Sequence, residues 1–258
     1  GAKVTYDTII TSNMTVYARW NNWDGTSTEP DYNSSTKTYT ITTGSELAWV
    51  SDVTNGYITS GTNFPIDSTF KGYTVKLAND VYLNDITNWK NWKTTAPANR
   101  WRSIGRKSYV NQKPVEKYFS GTFDGDNHCV IGMYDSGDDD GGLFRNFNGS
   151  IKELGVKYAY LTKGGGAIVC YNEGTITNCY NNSDLSSEGS IGGIAYGNGG
   201  TISHCYNTGN IISNGGNSGG ISTYTNEGKV AYCYNLGNIT GYQFASGIAD
   251  GEVEYSYN

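Results

Sequence analysis

Two groups of carboxylates in the chain have spacing that acid–base or metal chemistry could use: Asp124 with Asp126, and the run Asp138-Asp139-Asp140. Glycoside cleavage needs two carboxyl groups facing each other across a bond, and a calcium site needs several oxygens from one short loop. Asp124 and Asp126 flank Gly125 in an Asp-Gly-Asp-Asn stretch, where such side chains bond their own backbone, so a turn accounts for them. The Asp138–Asp140 run lies in the glycine-flanked loop SGDDDGG and reads as a solvated loop, with a weak surface Ca2+ site as the alternative. His128 and His204 are the only histidines; they read as a turn residue and an outward or corner residue. No Ser-His-Asp or Cys-His order and no C-x-x-C pair is present, so neither a nucleophile nor a zinc site is supported. Acidic residues after 142 are scattered, and no carboxylate column repeats beside a basic partner. No catalytic residue is assigned and no enzyme activity is expected.

The elements that would hold these residues follow from an internal repeat. GTITNCYN (174–181), GTISHCYN (200–207), GKVAYCYN (228–235) and GEVEYSYN (251–258) align. One column reads Ile151, Ile176, Ile202, Val230, Val253, and another Leu154, Cys179, Cys205, Cys233, Ser256. A third reads Leu143, Ile168, Ile194, Ile221, Ile248, with steps of 25, 26, 27 and 27 residues; a weaker fourth reads Leu185, Ile211, Ile239. No single repeat has enough apolar residues to close a core, so identical stretches must stack on one another. Helical repeats would need longer segments of period 3.6, and propeller blades need roughly 40 residues each. The expected class is therefore all-β: a parallel β-helix, right-handed by the usual bias of parallel crossovers.

That architecture assigns the conspicuous side chains. Cys179, Cys205 and Cys233 become small apolar interior residues, with disulfides between coils not required. Asn181, Asn207, Asn235 and Asn258 become a turn ladder whose amides bond from coil to coil, Asn tolerating the left-handed region. Tyr180, Tyr206, Tyr234 and Tyr257 become an outward aromatic stripe that stabilises by stacking or, alternatively, offers a platform to sugar rings.

The first half is less regular. FKGYTVKLANDVYL (70–83) and FSGTFDGDNHCVIGMY (119–134) alternate as strands do, with an Asn/Trp/Lys-rich excursion over 84–118 between them. Thr43-Gly-Ser-Glu46 is a capping box, which predicts a short helix over about 44–54 covering the end of the solenoid. All six tryptophans lie in the first 101 residues. Trp49 is expected to pack under the helix; Trp89 and Trp92, in a polar stretch, are the candidates for stacking on a glycan.

The order WDGTSTEP, YTITTGSELAWV, FKGYTVKLANDVYL, FSGTFDGDNH, GGLF, GTITNCYN resembles the GLUG-type parallel β-helix modules of Gram-positive gut and rumen bacteria, over about residues 22–258. The family's FDGNGH turn reads FDGDNH here. Trp101 matches a position that family uses for packing. VTYDTIITSNMTVYARW is similar to the closing half of a Listeria–Bacteroides repeat, a small β-grasp-like surface module. The resemblances imply a remnant of that module over 1–20, a linker and first strand over 21–43, and a solenoid over 44–258. Within the solenoid, irregular coils over 55–141 precede regular coils of 23–28 residues over 142–258. They also imply an extracellular, secreted or cell-surface protein, adhesin-like and non-catalytic, with a glycan or a host or surface protein as partner, or a plain spacer. The alternative is a carbohydrate-active β-helix enzyme, or a non-catalytic domain of a secreted protease.

Composition agrees. Gly (35) and Tyr (22) are abundant and Pro (4) is scarce, as short strands and tight turns require. A net charge of −6 without a concentrated basic patch argues against nucleic acid. No apolar run approaches the roughly 20 residues of a membrane span. A monomer is expected, with no cofactor beyond the weak Ca2+ candidate. Beginning at Gly1 and ending inside a repeat, the chain reads as a piece of a longer protein, so missing targeting signals carry no weight.

Overall fold

The computed structural model describes residues 22–258 apart from 107, 111–112 and 138. The module remnant expected over 1–20, including Trp20, lies outside the described residues, as does Asp138.

The repeat columns become walls of a parallel β-solenoid. The first wall has nine strands, and after the antiparallel pair Asp31–Asn33 and Thr38–Ile41 every neighbour is parallel. Its inward residues stand in strict register, Val75, Phe123, Ile151, Ile176, Ile202 and Val230, and Val253 continues the column at the last strand, where it is exposed. A second wall of six strands runs from Val81–Tyr82 to Tyr234–Asn235, and a third of four from Phe144–Phe147 to Ser222–Tyr224. Shorter columns, among them the one carrying Leu185, Ile211 and Ile239, close the section. About five turns stack from Thr122 onward. Hydrogen bonds run from coil to coil, so each short strand is satisfied only by its neighbours.

Between the first and second walls the chain turns through one residue in the left-handed region. These corners are Glu153, Asn178, His204, Tyr232 and Tyr255, with φ of 54°, 54°, 54°, 55° and 45°. The geometry costs about 1–2 kcal/mol for a residue with a Cβ. It is repaid because the following residue (Leu154, Cys179, Cys205 or Cys233) then points into the core and is at most 1 % exposed. The left-handed position is thus three residues before the Asn column, which corrects the reading of those asparagines as turn residues. Asn181, Asn207 and Asn235 lie within strands and are buried. Asn181 Nδ2 donates to Asn207 Oδ1 and Asn207 Nδ2 to Asn235 Oδ1, each at 2.7 Å, and Asn235 Nδ2 donates to Asn258 Oδ1. The same amides also serve the next bend: Asn181 donates to Ser183 O and accepts from Ser183 N. A second inter-coil amide pair, Asn172 to Asn198 at 2.7 Å, stands in the third wall.

The helix spans Gly44–Asn55 and both halves of the Thr43/Glu46 capping box form. Gly56, at φ 79°, ends it in the left-handed region, where its N–H reaches the carbonyls of Asp52 and Val53. Leu47, Val50 and Val53 join the same core as the coils, and the Trp49 ring packs on Tyr39 and Phe70. The five cysteines are free and buried.

The segment after the second-wall strand Val81–Tyr82 is only in part the excursion expected over 84–118. Residues 84–100 loop outside, and Ser108–Val110 pairs with Lys113–Val115 as a hairpin. Between these, Trp101 N donates to Tyr134 O at 2.7 Å and Ile104 bridges Phe144, so 101–105 belongs to the wall. The apolar side chains of Trp101 and Ile104, 1 % and 0 % exposed, drive that return. That return also sets one wall of a cleft at the capped end.

Candidate functional site

The residues singled out in sequence fall into different environments. The Tyr column is a ladder of parallel rings: Tyr180–Tyr206 at 5.0 Å and 4°, Tyr206–Tyr234 at 4.9 Å and 2°, Tyr234–Tyr257 at 5.4 Å and 8°. Rings stacked at coil spacing cover one another's faces, so the stripe shows edges and hydroxyls, and the outer face of Tyr257 is its one open end. At its other end Gly155 occupies the ladder position, and the Tyr180 ring lies over it with its hydroxyl 2.9 Å from Cys129 Sγ. The corner column forms a shorter parallel stack that the sequence reading missed, His204 on Tyr232 on Tyr255, at 5.0 and 5.1 Å.

Trp92 is 3 % exposed and packs edge-on against Tyr134, which corrects its reading as a surface for sugar stacking: it anchors the loop. Trp89 begins a short 3-10 turn, Trp89–Asn91, half-buried and edge-on to Tyr158. Asp139 is exposed and Asp140 half-buried. Among the described residues the one carboxylate cluster close enough for a cation is Asp124, Asp126 and Glu153. Lysines already pair two of these, Lys76 with Asp126 at 3.0 Å and Lys152 with Asp124 at 2.9 Å. Asp124 therefore stands between Lys76 and Lys152 in one register column, as a ladder of alternating charge.

A concave site does form, at the capped end. A cleft of about 300 Å³ lies between the helix, the loop after Trp23 and the returning segment 98–102. Ala48, Ser51 and Asp52 come from one helix face, as spacings of three and four residues dictate. Trp101 forms its floor and its Nε1 donates to Leu143 O at 3.2 Å. Trp23 forms the rim, half-buried, edge-on to Trp101 at 5.8 Å, with Nε1 donating to Thr26 O. The walls are tied together. Ser51 Oγ donates to Arg102 O at 2.7 Å, Asn99 exchanges two bonds with Asn84, and Asn99 Nδ2 reaches Trp23 O.

The charges in the cleft are unequally engaged. Arg102 pairs with Asp52 at 2.8 Å, and its guanidinium lies 4.3 Å from the ring centre of exposed Tyr57. Arg100 is exposed and has no hydrogen bond or ion pair among the described residues. It points toward Gly137, its Nη2 3.0 Å from where a Cβ there would be. Beyond lies a smaller depression lined by Ser103, Arg106, Asp135, Asp139, Asp140 and Arg145. Asp135 is buried and accepts from Ser103 Oγ and Gly137 N, both at 3.0 Å. Burial pushes its carboxyl pKa above the usual range, and those bonds with Arg100 and Arg106 oppose the rise. Arg145 Nη1 donates to Asp140 O, while its Nε is buried without a hydrogen-bond partner.

Four of the chain's five arginines (Arg100, Arg102, Arg106 and Arg145) thus surround two adjoining depressions. The fold gathers them by setting the stretch 100–106 beside Arg145 of the next coil, among Asp52, Asp135, Asp139 and Asp140, so the cluster is mixed in charge and not a basic patch. The alternation RWRS, in which Trp101 must be buried and its neighbours exposed, was the available signal.

No protein-family model matches the chain, and no curated protein matches it. Among solved structures the chain is similar to that of a "putative immunoglobulin A1 protease" from Bacteroides ovatus, with a TM-score of 0.53 and 18 % identity. The match covers 90 % of this chain and 77 % of that one. At this identity the likeness shows the fold alone.

Proposed function

We propose that the chain is a non-catalytic β-solenoid module of an extracellular bacterial protein, which holds a small binding cleft at its capped end. The observation that carries this reading is a division of labour among side chains. The ladders of the regular coils are occupied with one another, whereas the cleft presents Arg100, exposed and without a hydrogen bond or ion pair among the described residues, beside an aromatic rim. The resemblance to GLUG-type surface modules supports a secreted or surface-displayed context and an adhesin-like role toward a glycan or a surface protein. Among the described residues no helix is long and apolar enough to cross a membrane.

A second reading, a β-solenoid domain of a secreted protease, is favoured by the Bacteroides ovatus likeness over 90 % of the chain. Binding fits the cleft better than hydrolysis does. Its lining has one carboxylate, Asp52, held by Arg102, whereas glycoside cleavage draws on two.

The test is a screen of the whole chain against arrayed glycans and mucins, with reducing-sugar release assayed in parallel. Saturable binding without sugar release is the expected result. Release of reducing or unsaturated sugar ends would overturn the non-catalytic reading, and the absence of any binding would leave a spacer.

A further inference from the structure

We propose that the cleft takes an acidic sugar, its carboxylate seated on Arg100 and its ring lying along Trp23. The inference rests on the binding-module reading above and names the ligand class for that same cleft.

Three features lead to it. First, the cleft is positive in a negative protein: Arg100 and Arg102 face the single carboxylate Asp52 on a chain of net charge −6. Because Asp52 is spent on Arg102, the cation of the lining that no ion pair holds is Arg100, with buried Asp135 as its nearest counter-charge outside the cleft. A planar guanidinium with free N–H groups matches a carboxylate with two parallel bonds, a fit a lysine lacks. Second, the rest of the lining is what a sugar needs: a half-buried indole at the rim and hydroxyl and amide groups of Thr26, Ser51 and Asn99 around it. Third, about 300 Å³ is at the small end of ligand sites, enough for roughly one or two sugar rings and too small for a folded partner.

The neighbouring depression does not compete for this ligand. Asp139 and Asp140 offset Arg106 and Arg145 there. Arg100 acts on buried Asp135 at a distance but is held by no hydrogen bond or ion pair among the described residues, and it is the cation whose N–H groups stay open at the border of the two depressions. Tyr57, stacked on Arg102, holds that second guanidinium against Asp52 and keeps the two arginines from acting as one clamp. Arg100 acts on the fold only through its field on buried Asp135, so a urea titration of each variant beside the binding titration separates loss of ligand from loss of fold.

The experiment is calorimetric titration of the whole chain with an oligogalacturonate, a sulfated heparin oligosaccharide and a neutral cello-oligosaccharide, repeated on Arg100→Ala and Arg100→Lys. The expected result is tightest binding of the oligogalacturonate, weakened about tenfold or more in Arg100→Ala. Binding should also fall as salt rises from about 50 to about 500 mM. Arg100→Lys should recover only part of the loss for the carboxylated ligand, because charge returns without the fork. Tighter binding of the sulfated sugar, or full recovery by Lys, would overturn the carboxylate assignment. Neutral sugar bound as tightly as acidic sugar, with Arg100→Ala unchanged, would overturn the inference while the binding-module reading survives. No binding of any sugar, here and on the array, would remove both.

Discussion

The regular coils after residue 142 and the capped end before it solve opposite problems with the same backbone. In the regular coils each side-chain position repeats, so a residue's partner is its own counterpart one coil away: Ile on Ile, Asn on Asn, Tyr on Tyr. Such ladders saturate themselves and leave little for a ligand. The capped end has no counterpart to stack on. It closes with unique contacts, among them a helix, a tryptophan floor and an Asn84–Asn99 exchange, and the mismatched surfaces leave a cleft. Regularity thus makes the scaffold, and its interruption makes the site.

The regular coils depend most on their buried amide ladder. Asn207→Ala would take one of two partners from the Asn181 Nδ2 donor, which keeps Ser183 O, and from the Asn235 Oδ1 acceptor, which keeps Gly237 N, and would remove the Asn207 amide from the Gly209 carbonyl. With three buried hydrogen bonds lost at about 1 kcal/mol each, the expected loss is about 3 kcal/mol in a urea titration. Asn182→Ala, one residue from the ladder's Asn181, removes an exposed amide bonded to Thr208 Oγ1 and should cost under about 1 kcal/mol. Equal losses at the two positions would mean that the ladder is not a special source of stability.

Next in size is Gly155→Ala. A Cβ there would lie 2.4 Å from Tyr180 Cζ and 2.8 Å from Cys129 Sγ, so the ring must leave its seat. Overpacking of this kind costs about 1–3 kcal/mol. Burial, aided by the Cys129 contact, pushes the Tyr180 phenol up to about 12. A phenol whose folded pKa is raised contributes stability that is present below pH 10 and lost as pH climbs toward 12. In the variant that loss should begin and end nearer 10, with one more tyrosine ionising early in an alkaline absorbance titration. An unchanged titration would show that the ring keeps its place.

These two positions also show what the sequence could and could not tell. The inward columns, the Asn ladder and the capping box were legible because repetition exposes any position under a fixed constraint: Ile176, Cys205 and Asn235 are identified by their counterparts. Gly155 was not, since its role appears only when Tyr180 of the next coil lies over it. The left-handed corner was hidden because Glu, Asn, His and Tyr all occupy it, and no residue type marks it. Trp92 sat in a polar stretch that promised exposure, yet the edge of Tyr134 buries it. The cleft was least legible of all, because its walls come from segments around 23–26, 48–52 and 98–102 that share no periodicity.

A smaller effect separates the two regions by pH. Asp135 belongs to the irregular end, and its folded pKa is raised above the ordinary carboxyl value of 3.8. The folded state therefore holds a proton that the unfolded chain has released, and stability falls as pH rises upward from 3.8 through the folded value. Asp135→Asn keeps an acceptor for Ser103 Oγ or Gly137 N while removing the buried charge. The variant's melting temperature, measured from pH 3 to pH 8, should lack that decline. A decline of the same size in both proteins would place its origin elsewhere.

The smallest effect is the one that most sharpens the contrast. Arg100→Ala should change stability by less than about 0.5 kcal/mol, the usual limit for an exposed residue, its field on Asp135 being the one contribution lost. Arg102→Ala should cost somewhat more, about 0.5–1 kcal/mol, because it frees Asp52 and uncovers Tyr57. Urea midpoints of the two variants, compared with the parent, give the ordering directly. If Arg100→Ala proved the more destabilising, its guanidinium would have a structural duty toward Asp135 that the static contacts do not show, and it could not serve as the free cation of the cleft. A null stability effect together with lost binding is the signature of a residue kept for a partner, which no ladder position in the regular coils should reproduce.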